Sequence, residues 1–217
     1  MAARGRAAGF ARELRLGERG YQAIAGVDEV GRGCLAGPVI AAAVILDPAR
    51  RPRGLRDSKQ LAAADRERLA AVIAKTAVAI ALGVVESTEI DRTDILQATL
   101  EAMRCAVEGL RVRPDYLLVD AVRIPVIPIP QEGLIRGDSR SASIAAASIV
   151  AKVYRDALMR SLHPLYPAYR FDANKGYGTR DHLRALRRLG ATPLHRTTFR
   201  GVPRRRGAAV RPAQRSG

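Results

Sequence analysis

Short β-like apolar runs and longer helical periods succeed one another along this chain. Ala23–Val27 reads as a buried strand, and Val39–Leu46 resumes an apolar, β-branched run that reads as a second. The Gly-rich stretch Gly31–Gly37 lies between them, so strand, turn and strand in succession predict an antiparallel hairpin. Asp47–Gly54 is rich in Pro and Arg and reads as a loop. Asp57 and Ser58 are placed to cap a helix from Leu61 to about Lys75, whose Leu61, Leu69, Val72 and Ile73 share one face. Val78–Val85 reads as a strand. Ser87 and Thr88 precede a helix running from near Asp91 to Glu108, with Gly109 as its stop.

The second half continues the alternation. Tyr116–Val119 is a short apolar strand ending at Asp120. Ile124–Pro130 alternates Pro with aliphatics, which excludes a helix and predicts extended edge structure. Ser141–Leu162 is a long helix rich in Ala and Ser, and such small side chains let a helix sit close to a sheet. Pro164–Gly178, with three Tyr and a Phe, reads as a loop, and Arg180–Leu189 as the last helix. The stretch before Ala23 is charged and reads as a short helix or a loose arm. From Arg200 onward the chain is Gly-, Pro- and Arg-rich without an acid, a composition that predicts disorder. The pattern as a whole is α/β.

Composition sharpens this picture in two ways. Aromatics are 4% of the 217 residues and Trp is absent, so the core is built from Ala, Val, Leu and Ile. The 37 basic and 21 acidic residues leave a net charge of +16, which points to a polyanionic partner, nucleic acid first; an Arg-rich coding bias is the plainer alternative. Cys34 and Cys105 are far apart and form no CxxC pair, against both a zinc site and a disulfide framework, and a reducing cytoplasm is the expected location. The apolar runs are too short to cross a bilayer, and the Arg-rich start lacks the apolar stretch of a signal peptide. The spacing in GRGCLAG is not that of a dinucleotide loop, and a β-like run follows where a helix would be required. His163, His182 and His195 are too scattered to suggest a metal site and read as local packing.

The acids carry the chemistry. Asp28 and Glu29 close the first strand, Asp120 closes a later one, and Asp138 precedes the long helix. Strand ends and helix starts gather at the rim of an α/β sheet, where sites form. Crowded carboxylates repel one another unless a cation compensates, and hard oxygen ligands select Mg²⁺ or Mn²⁺. Two such ions about 3.5–4 Å apart can activate a water and stabilise the leaving oxygen of a phosphodiester. Each acid also has a plainer reading, as a turn residue, a strand-end Asx turn or an N-cap, and spacing alone does not make the four converge.

Several segments resemble the ribonuclease HII family. They are AGVDEVGRGCLAGPVIAAAV at Ala25–Val44, DSKQL at Asp57–Leu61, LLVDA at Leu117–Ala121, GDSRSASIAAASIVAKVYRD at Gly137–Asp156, NKGYGT and HL within Asn174–Leu183, and LHRTTF at Leu194–Phe199. Together they span roughly residues 20 to 202 in family order. The resemblance implies a ribonuclease H-like fold, a mixed central sheet flanked by helices with a small helical C-terminal part. It implies a catalytic domain over 23–202, which leaves the charged arm or short helix over 1–22 and the basic tail over 203–217 outside it. It implies Asp28, Glu29, Asp120 and Asp138 as catalytic metal ligands for Mg²⁺ or Mn²⁺.

The implied activity is metal-dependent endonucleolytic cutting of the RNA strand of RNA–DNA hybrids, and 5′ to a lone ribonucleotide in duplex DNA, leaving 3′-hydroxyl and 5′-phosphate ends. That reaction begins ribonucleotide removal from DNA. The family's turn, here Gly31, Arg32 and Gly33, reads the ribonucleotide, because glycines let backbone amides approach the 2′-hydroxyl that separates RNA from DNA. Tyr177 matches the tyrosine that packs on the following deoxyribose. Lys59, Arg136, Arg140, Lys152, Arg155 and Lys175 lie in or near matched motifs and are candidates, as a group, for phosphate contacts. A monomer that binds no membrane is expected. Val30, Cys34, Asp94 and Arg136 depart from the family's usual Ala, Pro, Asn and Lys, and none of them is a metal ligand. The signature begins near Ala25, so the extra N-terminal binding domain of ribonuclease HIII is not expected. A resolvase on the same fold, or a basic nucleic-acid binder without catalysis, are the rival readings.

Overall fold

A computed structural model of the chain describes residues 8–203. The tail expected beyond residue 203 lies outside them. The described chain forms two compact units, one from residues 8–30, 40–84 and 99–153, the other from 31–39, 85–98 and 154–203.

The sheet belongs to the first unit. Its strands are β1 (Ile24–Val30), β2 (Val39–Ile45), β3 (Ala79–Val85), β4 (Tyr116–Asp120) and β5 (Gln131–Leu134), in the order β3-β2-β1-β4-β5. β1 and β2 form the expected antiparallel pair, with Ala25 opposite Ile45 and Val30 opposite Ile40. β4 runs parallel to β1, and β5 parallel to β4, so the sheet is mixed. β2 is buried along its whole length, which is why it reads as an unbroken apolar run.

The helices are α1 (Ala11–Glu18), α2 (Ala63–Thr76), α3 (Ser87–Arg92), α4 (Ile95–Glu108), α5 (Ala142–Leu162), α6 (Phe171–Asn174) and α7 (Arg180–Leu189). In the first unit, Ala42, Val44 and Leu46 pack with Leu69 and Ile73 of α2 and with Ala145, Ala146 and Ile149 of α5. A second cluster joins Leu16 of α1 to Ile24, Leu118, Leu134 and Ile144. The segment read as arm or short helix is thus helical over α1 and tied down. Glu13 accepts hydrogen bonds from the Ser143 amide (2.9 Å) and the Ser141 hydroxyl (2.7 Å) at the start of α5. Arg12 pairs with Glu132 at 2.7 Å.

Four expectations are corrected. Asp57 caps a short 3₁₀ turn, Ser58–Gln60, by accepting from the Lys59 amide, and α2 begins only at Ala63 with no side-chain cap. The single helix expected from Asp91 to Glu108 is two, because the Asp94 carboxylate accepts the Leu96 and Gln97 amides (2.7 and 2.9 Å) and starts α4 afresh. Ile124–Pro130 is irregular; the edge strand is the next segment, β5, and the Gln131 side chain bonds both backbone groups of Ile124. The loop expected over Pro164–Gly178 contains two 3₁₀ turns and α6.

That last stretch is the core of the second unit. Tyr166, Tyr169 and Phe171 are buried with Leu35, Met159, Ala185 and Leu186, and Tyr169 stacks on Phe171 with centroids 5.8 Å apart. Among them lie His182 and His195, both fully buried, their Nε2 atoms 2.9 Å apart. The packing expected of these histidines is what the structure shows. Their neighbours fix the protons. His195 Nδ1 faces the Thr192 amide and accepts from it at 3.0 Å, so its proton is on Nε2 and is donated to His182. His182 in turn donates from Nδ1 to the Tyr177 carbonyl at 2.8 Å. The arrangement uses two neutral rings and has no place for a third proton.

A pH dependence follows. Burial lowers the pKa of His182 below 6.5, with the Tyr177 carbonyl pulling weakly the other way. The unfolded chain therefore binds the proton first, so stability is complete above about pH 6.5 and falls as pH drops below it, by about 1.4 kcal/mol per pH unit until the folded state titrates too. The urea midpoint is expected to drop between pH 7.5 and 5.5 in the wild type, and by less in His182→Gln. Equal slopes in the two proteins would show that the pair accepts a proton in place.

Candidate active site

Asp28 and Glu29 sit near the end of β1, and Asp120 ends the adjacent parallel strand β4. Parallel pairing brings the C-terminal ends of both strands to one rim, and one ligand oxygen from each of the three carboxylates falls within 4.8 Å of the others. Asp28 is 6% exposed. Its pKa is raised well above the usual carboxylate range, first by burial, then by the charges of Glu29 and Asp120. Against this, its carboxylate accepts the Glu29 amide at 2.8 Å and the Ser148 hydroxyl. Ser148 Oγ is 2.9 Å from Ser58 Oγ; with the Ser148 proton committed to Asp28, Ser58 is the donor. Asp120 is oriented by the Gly137 amide, which donates to it at 2.6 Å.

Asp138 lies outside the trio. It sits in a 3₁₀ turn, Gly137–Ser139, and its pKa is pushed up to about 6 by partial burial and by the charges of Asp57 and Asp120, with Lys59 opposing. Asp57 and Ser58, which sequence reasoning placed only as helix caps, and Ser148, which it did not single out, are neighbours of these acids. The signal for Ser58 and Asp57 was present in DSKQL, whereas Ser148 is one of several serines in an Ala-rich helix.

The basic candidates divide by burial. Lys59, Arg136 and Arg140 are exposed, and Lys152 and Lys175 are partly so. Arg155 is completely buried and spends its guanidinium on backbone carbonyls, so it is not a phosphate contact.

The second unit holds the turn. Gly31 has φ +96°, and a Cβ there would lie 2.4 Å from Arg155 Nε, so glycine is required on both counts. Arg32 and Gly33 are exposed, and Cys34 is buried. Tyr177 is 41% exposed, and its phenol bonds the Cys34 thiol; burial of that phenol and the thiol's proximity raise its pKa.

The structure resembles that of the ribonuclease H2 from Pyrococcus horikoshii with a TM-score of 0.69 and 24% identity, over 83% of this chain and 95% of that one. The fold is therefore ribonuclease H-like, a mixed five-stranded sheet flanked by helices. The model of the family described as Ribonuclease HII matches residues 25–202. The ribonuclease HII of Desulfitobacterium hafniense is 56% identical over 190 residues, 88% of this chain and 73% of that one. That of Geobacter sulfurreducens is 55% identical over 88% of each. The chain belongs to the ribonuclease HII family, and is an enzyme of the ribonuclease H type.

Proposed function

We propose that the protein hydrolyses the RNA strand of RNA–DNA hybrids and cuts duplex DNA on the 5′ side of a single embedded ribonucleotide. The products would carry 3′-hydroxyl and 5′-phosphate ends, and the reaction would begin ribonucleotide removal from cytoplasmic DNA. Residues 23–202 would act as the catalytic domain, as a monomer. The observation that carries this reading is the convergence of Asp28, Glu29 and Asp120 within 4.8 Å.

Those residues fit a divalent cation. The donors are oxygens alone, with no His or Cys, as Mg²⁺ or Mn²⁺ requires. Burial and the neighbouring charges of Glu29 and Asp120 raise the pKa of Asp28, and a bound cation would act in the opposite direction. Asp28, Glu29 and Asp120 would hold the metal, and Asp138 would complete the set or position water. When bound, such ions supply Lewis acidity to the attacking water and to the leaving 3′-oxygen.

The protein's own groups do the rest. Ser148 donates to the Asp28 carboxylate and is itself held by Ser58, the Gly137 amide holds one Asp120 oxygen, and the Asp57 charge raises the pKa of Asp138. Gly31, Arg32 and Gly33 are assigned to reading the 2′-hydroxyl and its phosphate, and Tyr177 to packing on the next sugar. Lys59, Arg136 and Lys152 are assigned to neutralising phosphate.

The test is a labelled DNA duplex holding one ribonucleotide, incubated with Mg²⁺, Mn²⁺ or EDTA beside an all-DNA duplex. Metal-dependent cutting 5′ to the ribonucleotide is expected, with the control intact. Cutting of the all-DNA duplex would remove the sugar-reading role of the turn, and binding without cutting in any metal would remove the nuclease reading.

A further inference from the structure

Two arginines in the second unit have no place in the reading given so far. Arg155 of α5 and Arg196 are both 0% exposed, the two largest fully buried side chains among the described residues. Burial lowers the pKa of Arg196 to about 10, so it remains charged at neutral pH. The hydrogen bonds of both guanidiniums converge on one stretch of backbone. Arg196 donates through Nη1 to the Arg32 carbonyl at 2.8 Å, and through Nε and Nη2 to the Gly37 carbonyl at 3.1 and 2.8 Å. Arg155 donates to the carbonyls of Pro38 and Ala36, each at 3.0 Å, and to that of Lys175 at 2.8 Å.

Four carbonyls between Arg32 and Pro38 are thereby committed to two rigid forks, and Arg155 ties the same stretch to the segment that carries Tyr177. Backbone bonds add to the frame. The Leu35 amide donates to the Gly176 carbonyl at 2.8 Å, and the Arg196 amide to the Leu35 carbonyl at 2.9 Å. Burying two guanidiniums is costly, and apolar side chains would fill the space at less cost. What the forks supply in return is the orientation of peptide planes.

The consequence for Gly33 is specific. A trans peptide points its C=O and its N–H in opposite directions, and no peptide bond among the described residues is cis. Holding the Arg32 carbonyl against Arg196 therefore aims the Gly33 amide the other way. Gly33 is exposed, a Cβ there would meet nothing within 4 Å, and no backbone or side-chain group among the described residues accepts its N–H. A free amide donor on an exposed, side-chain-less residue, aimed by a buried cation, is suited to a hydroxyl acceptor.

We infer that Arg196 and Arg155 are positioning residues that set the ribose specificity of the enzyme, Arg196 by aiming the Gly33 amide and Arg155 by holding the turn in register with the Tyr177 segment. This rests on the proposed cutting at ribonucleotides. Lysine would keep the charge and lose the fork, since one ammonium cannot reach the carbonyls of residues 32 and 37 together with the same geometry.

The experiment compares wild type, Arg196→Lys and Arg155→Lys. It measures KM and kcat on the single-ribonucleotide duplex, cutting of the all-DNA duplex, the melting temperature, and amide hydrogen exchange of residues 31–39 in the free protein. The expected result for folded Arg196→Lys is a KM raised about tenfold or more with kcat within about threefold, reduced preference for the ribonucleotide duplex, and faster exchange confined to residues 31–39. Arg155→Lys should act in the same direction and also loosen residues 175–177. Unchanged KM and preference in both folded variants would overturn the inference, as would loss of the folded state in both, which would make the pair purely structural. If the wild type itself does not cut at ribonucleotides, the proposed function fails. The exchange measurement then decides the inference alone: unchanged rates at residues 31–39 would overturn the positioning role as well.

Discussion

Asp28→Asn is expected to lose about a thousandfold or more in kcat while melting at a higher temperature than wild type in metal-free buffer. The two effects have opposite signs because one charge causes both. Asp28 is almost fully buried, with Glu29 and Asp120 close by. Its folded pKa is raised well above 3.8. A raised carboxylate stabilises the fold only below its unfolded pKa, and that contribution is lost as pH rises through the folded value. At neutral pH without metal, the charge is therefore a cost. Asparagine removes the charge and can still accept the Glu29 amide and the Ser148 hydroxyl through its carbonyl oxygen. Millimolar Mg²⁺ should raise the melting temperature of the wild type by mass action and leave Asp28→Asn nearly unmoved. About a thousandfold in rate is roughly 4 kcal/mol of transition-state stabilisation, a size fitting the loss of a metal ligand. A variant that kept wild-type kcat, or that melted lower without metal, would separate Asp28 from the cation site.

The sequence showed the acids well because each stands out against an apolar strand or a helix start. Their convergence followed only once β1 and β4 were seen to run in parallel at neighbouring positions in the sheet. Other features were illegible for identifiable reasons. Ser148 looks like its neighbours Ser141 and Ser143 in the same Ala-rich stretch, and nothing local marks it as the serine that bonds Asp28. Arg155 and Lys152 share a helix, yet one is buried against carbonyls and the other reaches the surface; charge pattern cannot show which, because the deciding groups are the carbonyls of residues 36, 38 and 175. Asp94 broke a helix that periodicity ran straight through, since an Asp in a polar stretch is equally an exposed helical residue and a cap. β5 has the sequence Gln-Glu-Gly-Leu, without a β-branched residue, and is a strand through its pairing with β4. The buried aromatics after Pro164 were placed in a loop because short 3₁₀ turns leave no periodic signature.

Gly26→Ala is expected to be among the most damaging single-methyl changes in the first unit. The residue lies in the middle of β1, paired with Val44 of β2 and Leu118 of β4, so its backbone is held from both sides. A Cβ at this position would fall 2.0 Å from the Ser143 carbonyl carbon and 2.3 Å from the Ile144 amide nitrogen. These are backbone atoms of α5, and no rotamer change relieves the clash. The small residues of α5 bring it close to the sheet, and Gly26 is the matching absence on the strand. Ser143 is further fixed by the Glu13 carboxylate, so the helix start cannot back away without breaking that cap. Overpacking in a mobile core site costs about 1–3 kcal/mol; here both sides are backbone, and about 3 kcal/mol or more is expected, roughly 6–12 °C in melting temperature. Asp28 is two residues along the same strand, so any tilt of β1 that makes room would also move its carboxylate relative to Asp120. Activity should therefore fall even at temperatures where Gly26→Ala remains folded, with Mg²⁺ giving less thermal stabilisation than in wild type. A variant that melted within a degree or two of wild type would mean that α5 can lift from the sheet, and that the close approach is not what fixes the carboxylates.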